Sequence, residues 1–156
     1  MARDPQAAAI RQRLEAEIAG AGKALLLEID ANLREACPVD TGHARANFVP
    51  SIGAAHSGED EGSAHEAGVA AVLTYRIGQG SLFETNNVPY IDRLVLGSSA
   101  QAPAGWDLVA VDQAVATIQA RYDGLRIDVT TGVDSGERGA RAAAAVASAY
   151  SPFGGQ

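Results

Sequence analysis

SLFETNNVPYIDRLVLGSSAQAPAGW, residues 81–106, is the stretch around which the other elements of the chain are arranged. Its first five residues alternate in the manner of a short strand. Asn86 and Asn87 are predicted to end that strand, because Asn tolerates a left-handed backbone and its amide can bond its own backbone. The unit therefore predicts a strand, a tight turn, a short helix and then an extended arm.

The short helix is predicted to begin directly after this turn. Pro89 fixes φ near the helical value at a position where a missing N–H costs nothing, and Asn87 is the predicted N-cap. Gly97 is predicted to end the helix. The buried side of the helix is predicted to consist of Tyr90, Ile91 and Leu94.

Two longer amphipathic helices flank this unit. The first covers residues 5–36 and carries Ile10, Leu14, Ile18, Leu25, Ile29 and Leu33 at helical spacing. Asp4 is its predicted cap, and Gly20 and Gly22 mark a place where it could kink or break. The second covers residues 107–122 and carries Leu108, Val111, Val115, Ile118 and Tyr122.

Strands are predicted at residues 47–52, 72–78 and 125–130 from their alternation. For residues 69–77 the alternative is a helix that turns into a strand. Pro50 places the first of these at a sheet edge or a bulge, since proline cannot donate to a ladder. Residues 54–67 are small, polar and acidic and are predicted to form a loop.

The predicted fold class is α+β: a small, mainly antiparallel sheet with the N-terminal helix and the 107–122 helix packed on one face. Residues 1–130 are predicted to form a single domain. Residues 131–156 are predicted to be a flexible or assembly-ordered tail, in which residues 140–150 are competent to form a helix. The 54–67 loop and the tail are both predicted to be poorly ordered in a free subunit.

Composition limits the partners. The chain has a formal net charge of −7 and a single lysine, so tight binding to DNA phosphates is not expected. One cysteine, Cys37, excludes an internal disulfide. No apolar run approaches the ~20 residues that span a bilayer, so no membrane partner is expected.

The sequence contains no complete motif for a nucleotide, metal or nucleophile site. The 20–24 segment GAGKA is an incomplete phosphate loop within a predicted helix, so no nucleotide site is predicted. His43, His56 and His65 lack metal-ligand spacing, and no metal or other cofactor is expected. Cys37 with His43 would be a nucleophile pair, but a small buried thiol is the favoured interpretation.

Two features leave alternatives open. Asp92 and Arg93 lie near the Asn86–Asn87 pair and indicate either a capped turn, which is favoured, or a direct partner contact. Trp106 is either a core anchor at the root of the second long helix, again favoured, or part of a binding surface.

Several short segments of this sequence occur together in one known family. The chain resembles the neck proteins of long-tailed DNA bacteriophages and gene-transfer particles, the tail-completion and tail-terminator type that joins head to tail. The resemblance covers about the first three quarters of the chain. It rests on PVDTG at 38–42, HARANF at 43–48, SIG at 51–53, TNNVPY at 85–90, and QAPAG at 101–105. Further matching positions are Arg93, Leu94 and Gly97.

The resemblance implies a structural role without catalysis. Copies would form a ring, expected to be a hexamer, which contacts the tail-tube protein and the head-connector or stopper proteins in the neck of a virion or phage-like particle assembled in a bacterial cytoplasm. DNA would pass through the ring without specific binding. The alternatives are a small bacterial accessory or binding domain outside any particle, and a small hydrolase.

The segments that carry the resemblance, and the residues beside them, supply the candidate interface positions. These are Thr41, Gly42, Asn86, Asn87, Pro89, Tyr90, Arg93, Gln101, Pro103, Gly105 and Trp106.

Overall fold

The longest helix among the described residues is α1 (Pro5–Ala36), and most other described elements pack against it. The computed structural model describes residues 4–132 and the backbone of residues 141–147. Asp4 caps α1 as predicted, because its carboxylate accepts a hydrogen bond from the Gln6 amide at 2.9 Å.

The helix continues without a break through its two central glycines. A Cβ on Gly22 would lie 3.3 Å from Leu82 Cδ1, which shows how closely α1 approaches the sheet there. Glycine therefore allows close packing at this position. It costs about 1 kcal/mol in helix propensity relative to alanine, but the helix does not break there.

The remaining elements follow in chain order. They are α2 (His43–Ala46), β1 (Phe48–Ile52), α3 (Ala64–Leu73), β2 (Leu82–Asn86), α4 (Ile91–Val95), α5 (Trp106–Arg121), β3 (Asp128–Thr131) and β4 (Arg141–Ala147).

The sheet has four antiparallel strands in the order β1-β2-β4-β3. Strands β1 and β2 pair along their whole length, from Phe48 opposite Asn86 to Ile52 opposite Leu82. Strand β1 lies at one edge, which confirms the edge position predicted from Pro50. The α+β fold class predicted from the sequence is confirmed.

Strand β4 differs from the sequence prediction, which gave residues 140–150 as helix-competent. That prediction is wrong, because the backbone of Arg141–Ala147 pairs with β2 on one side and β3 on the other. Arg141 and Ala142 pair with β2, and Ala143 to Ala147 pair with β3. Such tertiary context overrides the helix propensity of alanine. The strand also joins the sheet across the predicted boundary at residue 130. The rest of the predicted tail, residues 133–140 and 148–156, lies outside the described residues.

The main core lies between α1, α5 and β1. Helix α5 runs antiparallel to α1, with Asn32 Nδ2 donating to the Ala110 carbonyl at 3.2 Å near one end and Gly20 beside the Tyr122 hydroxyl near the other. Small side chains make this approach possible, since Ala110 and Ala114 are fully buried between the helices. Leu108, predicted on the apolar stripe, is instead 49% exposed.

Helix α3 replaces two elements of the sequence prediction. The strand predicted over 72–78 is wrong, because the helix continues to Leu73 and residues 74–80 form turns. The loop predicted over 54–67 ends early, at Ser63. The physical reason is tertiary: Val72 is fully buried against Leu26 and Leu82, a contact that a helix resting on the sheet edge provides.

Strand β3 begins later than predicted, at Asp128 rather than Leu125. Residues 125–127 lead into it without regular structure, although Ile127 still packs against the main core.

Within residues 4–132 and 141–147, no helix combines the length and the hydropathy needed to span a membrane.

Candidate functional site

Two segments of the phage-neck resemblance that lie 62 residues apart in the chain are joined by one side chain. The Gln101 amide nitrogen donates to the Val39 carbonyl at 2.8 Å, and its oxygen accepts from the Val39 amide at 2.9 Å. These two hydrogen bonds have the pattern of a hydrogen-bonded residue pair in an antiparallel sheet, with the Gln101 side chain in place of one backbone. They therefore fix both the distance and the orientation of the 38–42 turn relative to the 98–105 arm.

Residues 38–42, which include Pro38 and Gly42, form the turn that leads into α2. Gly42 has φ +85°, a conformation that side-chain-bearing residues rarely adopt, and it serves as the N-cap of α2. The Thr41 hydroxyl accepts a hydrogen bond from the His43 amide at 3.4 Å. Arg45 then ties the turn back to α1, because its guanidinium donates to the carbonyls of Glu35 and Cys37.

The paired asparagines hold the next segment in place, and Asn86 bonds its own backbone at the turn, as predicted. Asn86 is buried and donates to the Ala44 carbonyl at 2.7 Å, while its oxygen accepts from the Val88 amide. Asn87 donates to the carbonyls of His56 and Gly58 at 2.9 and 2.8 Å. Asn87 is therefore not the N-cap of α4, and that prediction is wrong; the capping residue is Tyr90.

Helix α4 and the arm after it form a second closed unit. Gly97 ends the helix as predicted, with φ +88° and a bond from the Ser98 amide to the Arg93 carbonyl. The buried side of the helix consists of Ile91 and Val95, with Tyr90 and Leu94 only partly buried. The prediction was right for Ile91 and placed the centre of the buried side too near Leu94.

Trp106 is a core anchor, which was the favoured alternative. It is 4% exposed, its indole N–H donates to the Leu94 carbonyl at 3.1 Å, and its ring meets Phe48 edge-to-face with centroids 6.4 Å apart. Gly105, at φ +77°, gives the turn that starts α5 and donates to the Val95 carbonyl. Trp106 therefore joins α4, α5 and β1.

These contacts enclose a shallow cleft of about 220 Å³, here called the turn cleft. Its walls are the 38–44 turn and α2 on one side and Tyr90, Leu94, Ser99 and Gln101 on the other. The volume lies below the 300–1,000 Å³ typical of small-molecule pockets. The geometry suits the contact of a protein loop better than the enclosure of a ligand.

The predicted interface positions divide into two groups. Asn86 and Trp106 are buried, and Gly42, Asn87, Tyr90 and Gly105 are partly buried; these six shape the backbone around the cleft. The exposed positions are Thr41, Pro89, Arg93, Gln101 and Pro103. The exposed group presents the most surface to a partner, and the partly buried Gly42 and Tyr90 also line the cleft.

Acidic groups surround the turn cleft. His43 Nε2 lies 2.6 Å from a Glu59 oxygen at an exposed position, and the His43 ring lies 6.4 Å from that of Tyr90. Burial, reinforced by the thiol of Cys37 and the carboxylates of Glu59 and Asp40, raises the pKa of the Tyr90 hydroxyl. Tyr90 therefore stays a neutral hydrogen-bonding group at physiological pH.

Cys37 is a small buried thiol, which was the favoured interpretation, and His43, its partner in the disfavoured nucleophile pair, contacts Glu59 instead. It is 2% exposed, and burial raises its pKa from 9.0 to about 11, an effect that the charge of Arg45 only partly offsets. Since the thiolate is the reactive form, this environment makes Cys37 a poor nucleophile.

We expect a disulfide reagent to modify Cys37 about a hundredfold more slowly in the native chain than in the unfolded chain at pH 8, because a pKa near 11 rather than 9.0 lowers the thiolate fraction by that factor. The measurement is the absorbance of the released thiol anion, with the same protein in guanidinium chloride as the control. Equal rates in the two states would show that the thiol is accessible and ionised.

A buried polar cluster is absent from the sequence predictions. Glu84, in the middle of β2, is fully buried and faces Asp30 and Arg34 of α1. His65 Nε2, on α3, contacts both oxygens of Asp30 at 3.0 and 3.2 Å. His65 is therefore a structural residue rather than part of a solvated acidic loop. Nothing in the spacing of these residues along the chain indicates the cluster.

The start of α3 is a second feature that the predictions missed, and here a signal exists. Ser63 and Glu66 have the spacing of a capping box, followed by an apolar run. The capping group is instead the carboxylate of Asp60, which accepts from the amides of residues 62, 63, 64 and 65. These bonds hold the pKa of Asp60 far below its usual range.

Searches against protein-family models, curated proteins and solved structures find no match to this chain. Among residues 4–132, no group of three His, Cys, Asp or Glu side chains has a geometry that could hold a metal ion.

Proposed function

We propose that this protein is a structural component of the neck of a phage-like particle. Copies form a ring, a hexamer in the simplest arrangement, that completes or terminates the tail and contacts the tail-tube protein on one side and a head-connector or stopper ring on the other. The proposal rests on the sequence resemblance described above. It involves no catalysis, and the turn cleft and its exposed rim serve as a contact surface between rings.

The observation that carries the proposal is the convergence of the matching segments. Residues 38–42, 85–90 and 101–105 are distant in sequence, yet Gln101 bonds Val39, and Asn86 bonds Ala44 just after the turn, so the three segments lie around one cleft. Sequence segments that matched a family only because they pack in the interior would be scattered through the core. Their concentration around a surface of fixed loops supports a docking role, because loops held on a rigid scaffold commonly carry binding.

Charge supports the passage of DNA. A chain with net charge −7 repels duplex phosphates, and a ring of six such chains multiplies that repulsion. DNA would therefore slide through the ring rather than adhere to its wall.

Deletion of the gene from a particle-producing strain tests the proposal. The expected result, seen by electron microscopy of lysates, is filled heads and tails that are not joined, or tails of abnormal length, with delivery of DNA lost. The wild-type gene supplied in trans should restore joined particles. Normal joined particles from the deletion strain would contradict the proposal.

Complementation with surface variants tests the role of the cleft rim. Arg93→Glu, at an exposed position of α4 next to Leu94 of the cleft wall, is expected to reduce joined particles at least tenfold, because reversing a charge beside the docking surface disfavours docking. Arg121→Glu is the matched control, an exposed arginine in the last turn of α5 away from the cleft. Equal complementation by the two variants would remove the rim from the docking surface.

A further inference from the structure

The first half of α1 carries an apolar ridge that the described part of the chain leaves uncovered. Every residue from 4 to 17 is exposed, and within this stretch Ile10 and Leu14 are 62% and 37% exposed. The two side chains are one helical turn apart and so form one ridge. The ridge continues the same stripe that α5 covers from residue 18 onward.

Geometry explains why the stripe is covered only in its second half. Helix α5 ends at Arg121, and Tyr122 then reaches α1 at Gly20. The first turns of α1 therefore extend beyond the end of α5, over a length of about 20 Å at 1.5 Å per residue. Ile10 and Leu14 lie within this uncovered length, and burial of their exposed apolar side chains by a partner would stabilise this end of the helix.

A groove of about 600 Å³ lies on the other side of the same helix. Its floor is formed by Ala16 and Ala19 of α1, and its far wall by the end of α3 and the turn after it. Leu73 and Ile77 stand in that wall, 58% and 45% exposed. Small residues on the floor leave room for large apolar side chains from outside.

The ridge and the groove cannot meet within one molecule. Ile10 and Ala19 are nine residues apart, which is two and a half turns, so they point to opposite sides of α1. A contact between two different surfaces of identical subunits is heterologous, and repetition of such a contact produces a ring or a filament rather than a closed pair.

We propose that the ridge of one subunit, Ile10 and Leu14 of α1, inserts into the groove of the next subunit, beside Leu73 and Ile77. If repetition of this contact closes into a ring, the contact is the subunit interface of the ring described under Proposed function. The assignment to that ring rests on the proposed function. The occupant of the groove is a second copy of this chain.

Charges beside the ridge match charges beside the groove. Arg13 and Glu17 form an exposed ion pair that flanks Leu14, with 3.3 Å between the two groups. The groove has Glu15 on its helical side and Lys23 and Arg76 at its rim. A copy docked by its ridge can thus place the arginine toward an acidic group and the glutamate toward basic groups, which favours this pairing over docking in an arbitrary orientation.

Single-cysteine cross-linking tests the contact in the full chain. In a Cys37→Ser background, Leu14→Cys and Leu73→Cys are prepared separately and then mixed under mild oxidation. The expected result is a disulfide-linked dimer in the mixture and none with either variant alone. Gln113→Cys, at an exposed position of α5, is the matched control for chance collisions and should link to neither.

Two outcomes would overturn the proposal. Linking of Leu14→Cys to itself would indicate a two-fold pairing of ridges. Failure to detect a mixed dimer at protein concentrations up to about 1 mM would show that the contact is too weak to assemble subunits.

Light scattering of a charge variant provides an independent measurement. Leu14→Glu is expected to shift the assembled species to the 16.0 kDa monomer without lowering the melting temperature of that monomer, whereas Leu108→Glu, on an exposed apolar residue of α5, should leave the assembly intact. A monomeric wild-type chain that Leu14→Glu destabilises would show that the chain covers its own ridge, and that result also overturns the proposal.

The two proposals fail separately. A mixed cross-link together with normal particles from the deletion strain would keep the contact and remove the neck function. Unjoined particles in the deletion strain without any cross-link would keep the neck function and remove this contact.

Discussion

Gly68→Ala is expected to lower the free energy of unfolding by about 3 kcal/mol or more. A Cβ at this position of α3 would lie 2.0 Å from the Pro50 carbonyl oxygen and 3.1 Å from its carbonyl carbon. Both are backbone atoms of β1, so no rotamer change can relieve the overlap, and either the helix or the edge strand must move. Helix propensity acts in the opposite direction, since alanine is favoured over glycine by about 1 kcal/mol.

Urea unfolding followed by circular dichroism measures the effect. Ala70→Gly is the matched control, because residue 70 is exposed on the same helix and only propensity changes there, at a cost of about 1 kcal/mol. Gly68→Ala should therefore be clearly more destabilising than Ala70→Gly. A Gly68→Ala variant as stable as the wild type would mean that α3 does not rest on β1 at this distance.

The same contact explains why the end of α3 could not be predicted, although its start carries a capping-box signal at Ser63 and Glu66. Helix α1 was predicted at both ends, because Asp4, Pro5 and the apolar spacing are local signals. Residues 72–78 carry a local alternation that favours a strand, and the helix that forms is selected by Gly68 and Val72 against β1 and α1. No local pattern reports that selection.

The candidate site shows the same division. The turns at Gly42 and Gly97 were predictable from residue type, since each requires a positive φ, whereas the turn at Gly105 stands where an extended arm was predicted. The pairing of Gln101 with Val39 joins positions 62 residues apart and has no local signal. Asn87 illustrates the limit: its residue type fits an N-cap, yet its amide instead holds the 56–58 loop, which the sequence could not place beside it.

Glu84 is a residue whose role depends entirely on burial. Strand alternation gives its face, but its surroundings come from α1 and α3. Neither carboxylate oxygen has a hydrogen-bond partner among the described residues, and the side chain is fully buried. Burial raises the pKa of Glu84 well above 4.5, the charge of Asp30 raises it further, and Arg34 partly offsets both. An ionised carboxylate here would lack the donors that it has in water.

This pKa shift has a definite sign for stability. In the unfolded chain Glu84 ionises near pH 4.5, whereas in the folded chain it stays protonated to a higher pH. Between those two values the unfolded state binds fewer protons than the folded state, so unfolding becomes easier as pH rises. The stability associated with neutral Glu84 is fully present below about pH 4.5 and is lost as pH rises through the folded pKa.

Glu84→Gln removes this dependence, because glutamine is neutral at every pH and keeps the size of the side chain. We expect the free energy of unfolding of the variant, relative to the wild type, to increase between about pH 4.5 and pH 8, by about 1–3 kcal/mol. Urea unfolding at each pH measures the difference, and Glu35→Gln, an exposed position of α1, is the matched control whose difference should stay nearly constant. Arg34 faces Glu84 in both proteins, so a variant that becomes less stable than the wild type as pH rises would mean that the arginine, rather than burial, dominates the site and holds the carboxylate ionised.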